Sequence, residues 1–313
     1  MRRISRKKKG VILLSLIAMN FILIGTIFLL KNFSKEEPQQ EVIMEEPVEV
    51  IDPYQIDVLA VGNSDLYSAF HPLEMWNEYG ITSYVCSGAK QNMALSYHML
   101  NEFLKYKTPK VVLLEMDNFF ETRGSVEKDE LIQEVYYTCG PAYEGTEKWD
   151  DIKNQKFHPR AELKGFYYRD DVVKNKHLNY MGNSQQEAKD VPITEDYFPK
   201  IIDLLKEKDI PVVFVNFPSE SSWTNQKHNT VNQYAKKYDV PYLDFNKDDE
   251  TGFDWSTDSR DGGNHLNING AKKMTKYLGK YFSDHYDLKN HRNAEELEQW
   301  NKDYQSYKEK YIK

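Results

Sequence analysis

The chain of 313 residues holds only two cysteines, Cys86 and Cys139. That is far below the density of a disulfide-framed fold. Cys86 closes an apolar run and reads as a small buried residue, with a bridge to Cys139 as the alternative. The common metal signatures are missing too: there is no HExxH, no paired CxxC and no cluster of histidines, so neither a metal nor another cofactor is expected. No Gly-rich phosphate loop follows any apolar run, which argues against a P-loop or a phosphate-binding flavodoxin. Basic charge is scarce as well. Six of the 41 Lys and Arg fall in the first ten residues, leaving 35 against 49 Asp and Glu, a balance near −14 that argues against bulk electrostatic binding of nucleic acid.

Those six basic residues form MRRISRKKKG, and Val11 to Leu30 follow without a charge. About 20 apolar residues at 1.5 Å each match the hydrocarbon thickness of a bilayer. The run ends in LLKNFSKEE, with no Ala-x-Ala site and no cysteine to carry a lipid. The expectation is a cytoplasmic tail (1–10), an uncleaved transmembrane signal anchor (11–30), an acidic, proline-bearing linker (31–55) and an extracellular domain beyond it; a cleaved signal is the alternative.

From Ile56, apolar runs IDVLAVG, TSYVCSG, KVVLLEM, PVVFVNF and VPYLDF alternate with helical patterns such as QNMALSYHMLNEFLKY and ITEDYFPKIIDLLKEK. Continuous rather than alternating hydrophobicity predicts strands buried on both faces, in a parallel sheet between helical layers. The domain is expected over 56–290, with a charged helix over 291–313. The interval of about 119–190 fits no strand-helix unit. Its Tyr and Trp suggest either an inserted lid or an extra structural subdomain.

In an open parallel sheet, chemistry collects beyond the carboxyl ends of the strands. There the first run ends in Gly62-Asn63-Ser64-Asp65. A serine on such a corner needs a base within reach and N–H donors for an oxyanion; the same four residues also make an ordinary turn or helix cap. Of eight histidines, His265 stands apart. It lies in DSRDGGNHLNINGAKK, with Asp258 and Asp261 nearby to orient an imidazole. FPSESSWTNQKHN follows the fourth run, so Trp223, Lys227 and His228 are candidates for a sugar or phosphate contact, or the start of a solvated helix.

GNSD and DGGNHLN together resemble the SGNH/GDSL serine hydrolases and acyltransferases, over roughly 56–285 without the inserted interval. The resemblance implies a three-layer α/β/α, flavodoxin-like fold. It places the nucleophile on Ser64, the base on His265, and oxyanion or substrate contacts on Gly88 of VCSGAKQN, on Asn118 and on Asp65. Two departures stand out. The family's acid sits three residues before the histidine, where this chain has Gly262, so Asp261, four before, is taken over Asp258. The family's third block offers an Asn, whereas LLE is followed here by Met116, Asp117 and Asn118, and an ionised Asp cannot donate.

The N-terminal anchor and the HLN-x-x-G-A-K ending are similar to a DltD-like branch from Gram-positive bacteria. That resemblance implies a cell-surface polymer or acylated glycan as substrate and a polytopic membrane-bound O-acyltransferase as partner. Two functions follow as expectations: a serine esterase or O-acyltransferase, or a non-catalytic scaffold that presents a polymer to a membrane enzyme.

Overall fold

The computed structural model describes residues 19, 22–27, 29, 51–177, 179–247 and 250–312. In the segment up to residue 50, the described residues 19, 22–27 and 29 are helical. The expected basic tail and most of the expected anchor and linker lie outside the described residues. Among the described residues, no helix is long and apolar enough to cross a membrane.

From Ile51 onward, five parallel strands form one sheet in the order β2-β1-β3-β4-β5. They are β1 (Val58–Gly62), β2 (Ser83–Ser87), β3 (Val111–Glu115), β4 (Val212–Asn216) and β5 (Tyr242–Asp244). This is the flavodoxin-like order, whose strand order reverses beside β1. Each strand lies within one of the five apolar runs.

Alternate residues explain why those runs are continuous. Leu59 and Val61 of β1, with Val112 and Leu114 of β3, share a core with α3 (Met93–Phe103), α4 (Lys128–Cys139), α6 (Pro192–Glu207) and α7 (Asn225–Tyr238). Val58, Ala60, Val111 and Leu113 pack instead with α1 (Ser64–Ala69), α2 (Pro72–Tyr79) and α8 (Ile268–His285). Both side-chain rows of each inner strand are therefore covered, and no polar face is needed.

The interval 119–190 divides in two. Its first part contains α4, whose Leu131, Val135 and Cys139 belong to the core, followed by the short α5 (Glu147–Ile152). The second part crosses the edge of the sheet. Val85 N–H of the edge strand β2 donates to Lys164 O at 2.9 Å, and Gly165 follows with φ +94°. A Cβ at Gly165 would sit 2.1 Å from Val85 O, so only glycine lets the chain approach this edge. The C-terminal helix α9 (Glu298–Tyr311) packs on α2 through Trp76 and Trp300, ring centroids 5.5 Å apart.

Cys86 and Cys139 form a disulfide that ties β2 to the end of α4, with Cα atoms 5.2 Å apart. The unpaired reading of Cys86 is thereby corrected: α4 packs on β2 and brings in a partner 53 residues away. Closing that loop is worth roughly 4 kcal/mol at the chain-entropy limit. Cys139→Ser, or reduction of the native chain, should lower the free energy of urea unfolding by an amount approaching that figure and shift the midpoint down, and an unchanged midpoint would show that the bridge adds no stability.

Candidate active site

The site is built on the corner between β1 and α1. Asn63 caps α1, its Oδ1 accepting the Asp65 N–H at 2.8 Å, and Ser64 occupies the first helical position. The Ser64 N–H therefore belongs to the orphan donors of a helix start. Glu115 at the end of β3 is wholly buried and accepts the Asn63 N–H at 3.3 Å and the Asp117 N–H at 2.6 Å, with Asn216 Nδ2 at 3.4 Å. Asn63 Nδ2 donates to Asp117 Oδ2 at 3.1 Å, and the Ser87 hydroxyl donates to Asn63 O. The corner is fixed by polar groups from β2, β3 and β4.

His265 enters from the loop before α8, where Asn267 Oδ1 accepts from Asn269 N and Gly270 N. Its Nδ1 lies 2.6 Å from Asp261 Oδ2, while Asp261 Oδ1 accepts both the His265 N–H at 2.9 Å and the Asn264 N–H at 3.0 Å. The four-residue spacing works because Gly262, at φ +81°, and Gly263 coil the loop back on itself. A Cβ on Gly263 would lie 2.7 Å from Glu220 Oε2. Asp258 points elsewhere: it is buried, paired with Lys273 Nζ at 2.7 Å and accepting Asp254 N at 2.7 Å.

The other ring nitrogen, Nε2, lies 3.8 Å from Asp65 Oδ1, beside Ser64. No hydrogen bond within 3.5 Å joins the Ser64 hydroxyl to His265 among the described residues. The Asn264 amide lies against the imidazole, Nδ2 at 2.9 and 3.0 Å from the ring nitrogens, and its Oδ1 accepts from Ser221 Oγ at 2.6 Å. Ser222 donates to Asp65 Oδ2 at 3.2 Å, so the loop after β4 closes over the carboxyl.

Two carboxyl environments result. Burial tends to raise Asp261, but the hydrogen bonds from the His265 ring and from the His265 and Asn264 backbone outweigh it and hold the acid well below the usual carboxylate range. Asp65 and Glu115 go the other way. Burial first, then the charge of Asp117, pushes both well above that range, with Asp261 adding to the rise of Asp65 and Asp65 to that of Glu115, and the donors around them only partly compensate.

The remaining candidates are used up within the fold. Gly88 N–H donates to Gln91 Oε1 at 2.8 Å, and so is not free for an oxyanion. Asn118 is fully buried and donates to Ser96 Oγ at 2.8 Å. Trp223 is buried with Nε1 3.0 Å from Asp244 Oδ2, the same oxygen that lies 2.6 Å from His228 Nδ1. Both are structural rather than crevice residues. Lys227 does reach the site, donating to Asp117 Oδ1 at 2.8 Å and Ser222 O at 2.6 Å, but as a clamp on the corner. Glu115 was missed in the sequence, although an acid inside the apolar run KVVLLEM was a usable signal.

No family model and no curated protein matches the chain. Several solved structures are similar. One, described as a lipolytic protein of the G-D-S-L family from Desulfitobacterium hafniense DCB-2, has a TM-score of 0.38 and 13% identity, covering 71% of this chain and 97% of that one. Another, described as an acylhydrolase from Bacteroides fragilis NCTC 9343, has a TM-score of 0.37 and 11% identity over 72% of this chain and 86% of that one. An acetyl xylan esterase from the rumen bacterium Butyrivibrio proteoclasticus has a TM-score of 0.32 and 9% identity, over 76% and 66%. These likenesses are too distant to bear on the chemistry of the site.

The raised acids set a sign for pH dependence. Between the ordinary Asp value of 3.8 and its raised native value, Asp65 holds a proton that the unfolded chain has lost, so stability falls as pH rises through that window. Asp65→Asn removes that contribution. Relative to wild type, the variant should gain stability in urea unfolding as the pH rises above the ordinary Asp value of 3.8. A difference that does not change with pH would contradict the buried, protonated Asp65.

Proposed function

We propose that the chain is a serine esterase or O-acyltransferase of the SGNH/GDSL type. The observation that carries this is the Asp261–His265 pair: one ring nitrogen held at 2.6 Å by a carboxylate, the other turned toward the first turn of α1, which bears Ser64. In the proposed reaction the Ser64 Oγ–H proton passes to His265 Nε2 as the Oγ–acyl bond forms. The leaving alcohol then takes that proton, and Asp261 stabilises the imidazolium between the two steps. Water or a polymer hydroxyl attacks the acyl-enzyme, giving hydrolysis or transfer.

The Ser64 N–H is the oxyanion donor that the corner leaves open, the Gly88 and Asn118 donors being engaged. The step also needs the Ser64 hydroxyl brought to Nε2, and contacts of this kind often tighten only in the substrate complex. On the DltD-like resemblance, the acceptor is a wall glycan or teichoic-acid-like polymer outside the cell, and the acyl source is a polytopic membrane-bound O-acyltransferase. Support for that setting comes from the basic N-terminal tail and the apolar run after it.

The second reading is a non-catalytic scaffold, favoured by the absence of a Ser64–His265 hydrogen bond and by the two engaged donors. A fluorophosphonate probe separates the two readings. Wild type should label at Ser64, Ser64→Ala and His265→Ala should not label, and Asp261→Asn should slow labelling on the order of 10²- to 10⁴-fold. Asp258→Asn should retain labelling while losing stability, because it breaks the buried pair with Lys273. Folded wild-type protein that does not label would favour the scaffold.

A further inference from the structure

Arg260 lies in the same loop as the Asp261–His265 pair, its backbone N–H donating to His265 O at 3.1 Å. The residue is partly buried, its guanidinium stacked over the Tyr167 ring at 4.8 Å. Among the described residues, none of its side-chain nitrogens has a hydrogen-bond or ion-pair partner, and Nη1 is fully enclosed. The carboxyl of the adjacent Asp261 is committed: Oδ1 to two backbone N–H groups and Oδ2 to the imidazole.

A second guanidinium flanks the same place. Arg160 stacks over the Tyr67 ring at 4.2 Å, and the Tyr67 and Tyr167 rings meet edge-on at 5.9 Å. Tyr67 is three residues after Ser64 on α1, and therefore on the same helical face. Arg160 Nη2 donates to Ser87 O at 2.5 Å, next to the corner, and Nη1 lies 3.0 Å from His158 Nε2; among the described residues it makes no ion pair, and its Nε is enclosed without a partner. Arg160 also lines a cleft of about 450 Å³ that reaches Gly88.

A buried cation without a counter-ion costs stability. Arg123 and Arg169, by contrast, are paired with Glu121 and Asp171. Burial also pulls both Arg260 and Arg160 below their ordinary value.

We propose that Arg260, with Arg160 beside it, forms a subsite for an oxyacid anion, a phosphate or carboxylate borne by the substrate next to the ester that Ser64 attacks. A planar guanidinium fork suits either anion. The subsite deepens the esterase reading and rests on it for its role, though not for its binding.

The test uses the full chain in a neutral detergent, titrated calorimetrically with sn-glycerol 3-phosphate, succinate and glycerol, and labelled in parallel with a fluorophosphonate. Binding of at least one of the two anions, no binding of glycerol, and slower Ser64 labelling in the presence of the bound anion are expected. Phosphate against succinate identifies the anion. Arg260→Gln should weaken anion binding roughly tenfold or more, Arg260→Lys should restore part of it, and the melting temperature of Arg260→Gln should hold or rise. Wild type that labels but binds neither anion overturns the subsite and leaves the esterase reading standing. Anion binding unchanged in Arg260→Gln, or a lowered melting temperature that restores to wild type in Arg260→Lys without restoring binding, also overturns it. Anion binding that depends on Arg260 in a chain that does not label supports the subsite and overturns the esterase reading instead.

Discussion

The buried carboxyl of Glu115 is the point on which the corner turns. It sits at the carboxyl end of β3 with no exposure and accepts backbone N–H groups from the loops after β1 and β3. Enclosing an acid this way is costly, and the backbone donors around it offset only part of that cost. What it secures is geometry. A Cβ at Gly62 would fall 2.5 Å from Glu115 Cβ, so the residue before Asn63 has to be glycine for β1 to lie this close to β3. Asn63 is then held at both ends, its N–H by Glu115 and its Nδ2 by Asp117, leaving its Oδ1 to cap α1 and start the helix at Ser64. The opening glycine, the cap and the serine are thus consequences of one close approach between two strands.

Much of the scaffold was legible because its signal is local. Strands buried on both faces read as unbroken apolar runs, and all five runs contain strands. The Asp261–His265 relation was also within reach of the sequence, since Gly262 and Gly263 announce a loop that can coil an acid back onto a histidine four residues later. Other site residues depended on neighbours far away in the chain. Asn118 met Ser96 across 22 residues, and Trp223 and His228 shared Asp244, 21 and 16 residues on. Nothing in the immediate sequence of Asn118 or Trp223 says that a distant helix or strand will take up its donor. The same holds for the disulfide, whose partners meet only once α4 packs on β2.

The two acids beside His265, Asp261 and Asp65, show how one fold gives the same functional group opposite charge states. Asp261 is half-exposed and receives three donors, so it stays ionised. Asp65 is enclosed and faces the charges of Asp117 and Asp261, which together outweigh the Ser222 hydroxyl and Lys227, so it is driven toward its neutral form. Local donor count and desolvation decide the matter, and the overall acidity of the chain does not enter.

That difference bears on whether His265 can act as a base. An ionised Asp65, 3.8 Å from Nε2, would place a second negative charge beside the ring, opposite the one that Asp261 sets at Nδ1. A neutral Asp65 adds none. Burial of Asp65 and the repulsion it meets from Asp117 and Asp261 limit that second charge. The acidic cluster behind the corner, which by charge alone looks unfavourable beside a nucleophile, suppresses part of its own ionisation. The costly buried Glu115 shapes the corner that carries Ser64, and burial, then Asp117 and Asp65 beside it, raise it in turn.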